Sequence, residues 1–574
     1  MSSARLASRC LGGLLFALSL PLPLAAQASA AAAARGELPL KLAPRPTSPA
    51  ISAADLMTRL YIFADDSMQG REAGTIGNVK GTDYIAGEVK RLGLQPAGDS
   101  GTYFQTIPFK TRTLDPASTV SVGGTPMTVG TEWAAISQDS AGGTDVPTVF
   151  GGTLGDSASI ISPEQGAGKV VVFAFGPNSG RTGPSVAKVA MNAVAIGLIL
   201  PPQFLSFVAR PQQFVDNPGA TPPGASKATI YLTPASATRL FDDPVAQLKS
   251  GTAGKAISFS VRSRVEPVPF PARNVVAILP GSDPKLKGEY VAIGAHNDHV
   301  GFNHTPVDHD SIRIFNHIVR PGGAENQGAR ATPEQQAEVD TLLAEWRSSH
   351  PGTSRPDSIS NGADDDGSGS VSVLEIAEKL VAQNPKPKRS VLFVWHVGEE
   401  KGLLGSAFFT DHPTVPRDSI VTQLNIDMVG RGDAWDMTGT TKEGAEIHGN
   451  PNYLQVVGAR RLSTELGDVL EKVNTEGKHN LSLDYAIDAN GHPANIYCRS
   501  DHYEYARYGI PIAFFTTGGH SDYHQVTDEP EYIDYDHMAK VDNFIGDLLV
   551  RVANLDHRVV VDHPKPNPMA ACQQ

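Results

Sequence analysis

The apolar positions of the chain fall into blocks with different periods. Over residues 52–64, Leu56, Leu60, Ile62 and Phe63 recur at helical spacing, with Ser52 placed to cap the first turn. Residues 66–78 carry no period and read as loop, and 81–92 predict a second helix that stops at Gly93. Between about 115 and 265 the pattern shortens to β-rich runs (119–122, 146–150, 170–175, 229–232 and 257–261) separated by Gly, Ser and Pro. That texture predicts a separate β-rich domain with little acid–base chemistry, suited to covering a site or receiving a partner. Pro267, Pro269 and Pro271 mark its exit.

From residue 274 the pattern becomes α/β. Buried-strand runs at 274–279, 290–294, 390–395, 422–426 and 512–516, most of them rich in Val, Ile and Phe, are separated by helical stretches such as 370–382 and 403–409. Such runs predict a mixed, largely parallel sheet buried on both faces and flanked by helices. Residues 302–360 interrupt the pattern. They contain an amphipathic helix with Val339, Leu342, Leu343 and Trp346 on one face, either a lid or a surface decoration. Residues 556–574 read as a loose tail.

One stretch combines pattern and charge: Asn361-Gly-Ala-Asp-Asp-Asp-Gly-Ser-Gly-Ser370. Three adjacent aspartates repel one another, yet they run straight into a helix marked by Val371, Leu374, Ile376, Leu380 and Val381, with Ser368 or Ser370 available as its cap.

Composition narrows the class. The chain has 574 residues, 40% of them hydrophobic and 19% charged, enough for several domains with buried cores. A net charge of -13 without any basic stripe argues against nucleic acid. Arg5 and Arg9, an apolar run over 11–24 broken by Pro21 and Pro23, and small residues at Ala26, Ala28 and Ala30 predict an export signal over 1–30. The chain is then periplasmic or extracellular. Residues 31–50, rich in Ala and Pro, read as a tether, and no later run is long enough to span a membrane. Only Cys498 and Cys572 lie beyond the signal. They could pair, but a zinc site built on several thiolates is excluded by count, and Cys498 reads as a small buried side chain.

Ionisable residues gather just past the carboxyl ends of the predicted strands, where open α/β sheets place their ligands. His296 and Asp298 follow the 290–294 strand, Glu399 and Glu400 follow 390–395, Asp427 closes 422–426, and His524 lies beyond 512–516. With the aspartate turn, this set of imidazoles and carboxylates suits a pair of zinc-like ions, one carboxylate bridging. Adjacent glutamates can supply one ligand and one free base. In extended chain Asp298 stands on the same side as His296 and can hold its other ring nitrogen. His299, His304, His309 and His317 cluster after the first motif, where they could bind metal adventitiously, but they read as solvated loop; His520 competes with His524 for the ligand role. No G-x-S-x-G elbow and no H-E-x-x-H helix is present.

Taken in order, His-x-Asp, Gly-Ala-Asp-Asp-Asp-x-Ser-Gly, Gly-Glu-Glu-x-Gly-Leu-x-Gly-Ser, Asn-x-Asp-Met and Tyr523-His524 resemble the M28 family of zinc aminopeptidases over roughly 274–550, more weakly over 52–110. Arg499-Ser-Asp-His-Tyr503 and Gly509-Ile-Pro511 resemble its larger bacterial members. The β-rich insertion resembles a protease-associated (PA) domain. The resemblance implies a zinc-exopeptidase type fold divided into a catalytic N-terminal part over 51–114, a PA-like domain over 115–265, a di-metal peptidase domain over 266–555 and a tail over 556–574.

It further implies two zinc ions, or other divalent ions. Asp365 would bridge them, His296 and Asp427 would complete one site, and Glu400 and His524 the other. Glu399 would be the general base and Asp298 the orienting acid, with Arg499, Asp501, His502 and Tyr503 as substrate-pocket candidates. The implied activity is an aminopeptidase that removes N-terminal residues from peptides by a two-metal-activated water. A metallocarboxypeptidase, a glutaminyl-cyclase-like enzyme and a binding protein on the same fold are the alternatives. Asn297 and the long 302–360 insertion depart from the family pattern.

Overall fold

A computed structural model describes residues 38–137, 140–176, 183–215, 227–352 and 354–574. The segment expected as an export signal and the first part of the tether lie outside these residues.

A nine-stranded sheet carries the chemistry. Its order is Gln95–Pro96, Ala272–Leu279, Ser390–His396, Tyr290–His296, Ile420–Ile426, Ile512–Thr516, Tyr453–Val457 and Ser482–Asp484, with Phe104–Ile107 also paired to Ala272–Leu279. The strands Ser390–His396, Tyr290–His296, Ile420–Ile426 and Ile512–Thr516 are mutually parallel, whereas their outer neighbours pair antiparallel. The sheet is therefore mixed around a parallel centre, and the centre is buried on both faces, including the polar Thr422, Gln423 and Asn425. One face packs on the helices Ala53–Phe63, Gly369–Ala382 and Tyr535–Ala553 through Leu56, Leu60, Leu374, Ile376 and Phe544. The other packs on Phe409 and Tyr505 from the helices Leu404–Asp411 and His502–Ala506.

Ser52 caps its helix by accepting from the Asp55 amide. The second helix starts earlier than its apolar period suggests, at Ile76, because the small polar residues of its first turn are buried. Neither Ser368 nor Ser370 caps the Gly369–Ala382 helix. Ser368 already has helical backbone, and its hydroxyl donates to the Asp364 carbonyl. The Ser370 hydroxyl donates to the carbonyl of His296, fixing the turn to the strand that ends in His296.

Residues 119–261 form an eight-stranded sheet with its own core around Val120, Trp133, Val172, Ile230 and Phe259. The 302–360 segment forms a two-stranded ribbon, Gly301–Asp308 with Pro356–Ser360, and the helices His309–Val319 and Pro333–Ser349. Of the predicted apolar face only Val339 is fully buried. This segment braces the 520–532 loop. The Ala324 amide donates to the Tyr523 carbonyl, the Arg313 guanidinium lies over the Tyr532 ring, and Arg355 pairs with Glu531 at 3.1 Å. His309, expected in solvent, is buried between Asp357 at 3.0 Å and the Tyr532 hydroxyl at 3.2 Å.

The tail is not loose. Cys572 forms a disulfide with Cys498, and the Gln574 side chain accepts from the Tyr497 amide. The pairing left open for the two cysteines is thus made, and Cys498 is also partly buried against the core. Among the described residues, no helix is long and apolar enough to cross a membrane.

Candidate metal centre

The aspartate turn begins where Arg71 ends. The buried Arg71 guanidinium donates to the carbonyls of Asn361 at 2.7 Å and Gly362 at 2.9 Å, so it sets the entry to the turn. Gly362 follows with φ +58, and a Cβ there would strike the Asp365 carbonyl and the His299 ring. The Asp365–Asp366 peptide is cis.

The three aspartates then do different work. Asp364 accepts from the Gly430 amide at 2.6 Å and faces His520 at 3.2 Å. Asp366 accepts from the amides of His296, Gly369 and Met428, and burial, with Asp427 and Asp365 adding to it, pushes its carboxyl well above the usual range. Only Asp365 faces the centre, where its two oxygens reach toward different groups.

On one side, His296 Nε2 lies 3.1 Å from Asp365 Oδ1 and 3.7 Å from Asp427 Oδ1. Asp427 is anchored by the Ser500 hydroxyl, which donates to Oδ2 at 2.7 Å and itself accepts from Asn425. On the other side, His524 Nε2 lies 2.9 Å from Asp365 Oδ2 and 3.0 Å from Glu400 Oε2. The turn and the strand ends therefore bring His296, Asp365, Glu400, Asp427 and His524 into two groups that share Asp365. His520 stays with Asp364, outside both.

Asp298 acts differently from the expectation. Its main-chain carbonyl, at 3.0 Å, is the nearer partner of His296 Nδ1, and its carboxylate is 3.7 Å away. That carboxylate instead accepts from the amides of Gly398 at 2.8 Å and Glu399 at 3.2 Å, and so fixes the backbone of the two glutamates. Burial drives the Glu399 carboxyl well above its ordinary value. His296 opposes the rise, while Asp427, Glu400 and Asp501 add to it.

Of the four pocket candidates, Arg499 is the exposed one, paired with Glu325 of the 302–360 segment at 2.6 Å. His502 stacks on Phe514 at 4.5 Å and its Nε2 meets the Tyr497 carbonyl, so it is a core residue. Tyr503 packs in the same core, and the buried Asp501 sits 3.5 Å from His396 Nδ1. Asp501, His502 and Tyr503 are therefore largely buried, and the packing role expected beside the pocket role accounts for the contacts of His502 and Tyr503.

His299 is the main omission. It is fully buried, with Nδ1 2.9 Å from Glu400 Oε1 and its ring edge-on to His524. Its place three residues after His296 in His-Asn-Asp-His was the available signal. Arg71 and Ser500 were also missed: Arg71 stands in no motif, and Ser500, inside the Arg499–Tyr503 stretch, was given no role of its own.

The donor set fits divalent cations. His296 Nε2, both ring nitrogens of His299, Asp365 Oδ2 and Glu400 Oε1 are buried without a hydrogen-bond partner. Buried polar atoms are rarely left so. Ligands 2.0–2.2 Å from a tetrahedral zinc sit roughly 3.3–3.6 Å apart, close to the spacings found here.

A sequence profile of peptidase family M28 matches residues 274–549. Leucine aminopeptidase 1 of Sclerotinia sclerotiorum is 30% identical over 188 residues, covering 31% of this chain and 43% of that protein. The Coccidioides posadasii protein of the same name is 31% identical over 190 residues, with the same coverage of 31% and 43%. The chain thus spans less than half the length of the curated relatives it matches. Among solved structures, an aminopeptidase from Aneurinibacillus sp. strain AM-1 aligns at TM-score 0.49 and 17% identity over 90% of this chain and 98% of that one. A zinc aminopeptidase from Bacillus subtilis aligns at TM-score 0.45 and 17% identity over 89% and 95%.

Proposed function

From the premise that residues 274–549 belong to peptidase family M28, we propose that the protein is an exported, metal-dependent aminopeptidase acting on peptides. The observation that carries the reading is the pair of imidazole–carboxylate groups sharing Asp365, with Glu399 beside them and outside both. His296, Asp365 and Asp427 would hold one zinc ion, and Asp365, Glu400 and His524 the other. Bound there, zinc supplies Lewis acidity: it polarises a peptide carbonyl and brings water near its deprotonation range.

The chain's own residues do the rest. Glu399, its backbone fixed by Asp298, takes the proton from the attacking water and delivers it to the leaving amine nitrogen. The Cys498–Cys572 disulfide supports export, because such bonds persist in oxidising compartments. The expected signal over 1–30 points the same way.

The test is amino-acid release from a panel of peptides offered with free and acetylated N-termini, with chelator and then with zinc restored. Chelator-sensitive release from free N-termini alone is the expected result. Cleavage indifferent to acetylation would replace the reading with carboxypeptidase or endopeptidase action.

A further inference from the structure

The proposed function uses three ligands for each ion, but a fourth side chain stands inside the second group. We propose that His299 is a direct ligand of the second ion, which is then held by two imidazoles and two carboxylates. This rests on the two-metal reading of the site and extends it.

The candidate ligand atoms of His299, Asp365, Glu400 and His524 all lie within 4.8 Å of one another. His299 Nδ1 is 2.9 Å from Glu400 Oε1 and 3.7 Å from Asp365 Oδ2. Despite that closeness, neither Nδ1 nor Oε1 has an aligned hydrogen bond. Two electron-rich atoms side by side and not bonded to each other is the arrangement of two ligands on one cation. A simple hydrogen-bonded pair would show the N–H aimed at the oxygen.

The ring is also held in place. The His299 amide donates to the Arg71 carbonyl at 3.3 Å, and Gly362, lacking a side chain, leaves the space that the imidazole fills. An imidazole buried with both nitrogens unsatisfied is a costly thing to keep in a core, and a cation on Nδ1 relieves one of them.

The consequence is an asymmetric pair. Four protein ligands close a tetrahedral zinc site, whereas three leave a position open. The second ion becomes the tighter one, and the open position belongs to the ion at His296 and Asp427.

Chelator-stripped wild type, His299→Ala and His299→Gln are titrated with Zn2+ against a chromophoric chelator. Wild type should take up two equivalents, one tighter than the other. The variants should weaken the tighter class by at least about a hundredfold, the upper end of what losing a mere supporting partner costs, and leave the other class alone. Zinc X-ray absorption on fully loaded wild type, which needs no variant to fold, counts imidazoles directly. Three per two zinc ions are expected. Two imidazoles per two zinc ions, or unchanged affinities in folded variants, would overturn the role of His299 while leaving the two-metal reading intact. A wild type that takes up no zinc would remove both.

Discussion

The two halves of the proposed metal centre are built on different principles. In the first, the ligands stand at the sheet itself: His296 is the last residue of its strand, and Asp427 follows Ile426 directly. Both strands are parallel neighbours in the middle of the sheet, and the His296 side chain is 1% exposed. In the second half, Glu400 lies beyond the end of its strand, and His524 lies well past Thr516 with a left-handed backbone. The His524 side chain is 23% exposed. Its loop is braced from outside by the 302–360 segment and by Arg431, which pairs with Asp522 at 2.9 Å. The first half is fixed by backbone pairing, and the second by side chains from distant segments. Asp365 ties one to the other.

The largest effect should come from the residue that belongs to neither half. Glu399→Gln removes the proposed base and keeps the shape, so kcat should fall by about 10²–10⁴ while both metal equivalents remain bound. Metal content and turnover measured on the same preparation check this. Near-normal turnover would take the proton transfer away from Glu399.

A smaller and one-sided effect is expected from Ser500→Ala. It removes the hydroxyl that anchors Asp427 and leaves every ligand in place. Losing such a supporting partner typically costs about 10–100-fold in metal affinity. The loss should appear in one affinity class, that of the first half. Equal weakening of both classes would mean that the shared Asp365 transmits the disturbance and that the halves are not independent.

The same contrast explains what was legible in the sequence. The parallel centre of the sheet could be read because most of its strands are near-continuous apolar runs, although Ile420–Ile426 carries Thr422, Gln423 and Asn425, and His296 and Asp427 could be read because they end such strands. Among the outer strands, Tyr453–Val457 is broken by Gln455 and Ser482–Asp484 has only three residues, too few to set a period. In the second half, the motif pattern pointed to Glu400 and His524, but the residues around them could not be seen. His299 looked like one of several loop histidines, because burial there is imposed by Arg71 and Gly362, both distant from it in the chain or invisible as motif. The pocket candidates show the converse limit. Asp501, His502 and Tyr503 are polar in composition but stand at or in a short helix packed against the core, and polarity alone does not tell a pocket wall from an interior group.

The smallest effect on the centre should follow from opening the Cys498–Cys572 disulfide, which closes a separation of 74 residues. Cys498 is close in sequence to Ser500, so the bond could in principle hold the first half in register. The structure argues otherwise. Asp427 is positioned by the strand Ile420–Ile426, and Ser500 is held by Asn425 of that same strand. The tail also keeps non-covalent contacts of its own, from the Gly491 amide to the Gln574 carbonyl and from the Tyr497 amide to the Gln574 side chain. A Cys498→Ser, Cys572→Ser double variant should therefore lose about 2–4 kcal/mol of stability, seen as a lowered midpoint of thermal unfolding. Its zinc affinities and turnover at 25 °C should stay within about twofold of wild type, since losing a supporting partner of the ions would cost at least about tenfold. If the double variant instead matches Ser500→Ala in its first-half affinity, the sheet does not preset that half, and the tail belongs to the machinery that holds Asp427.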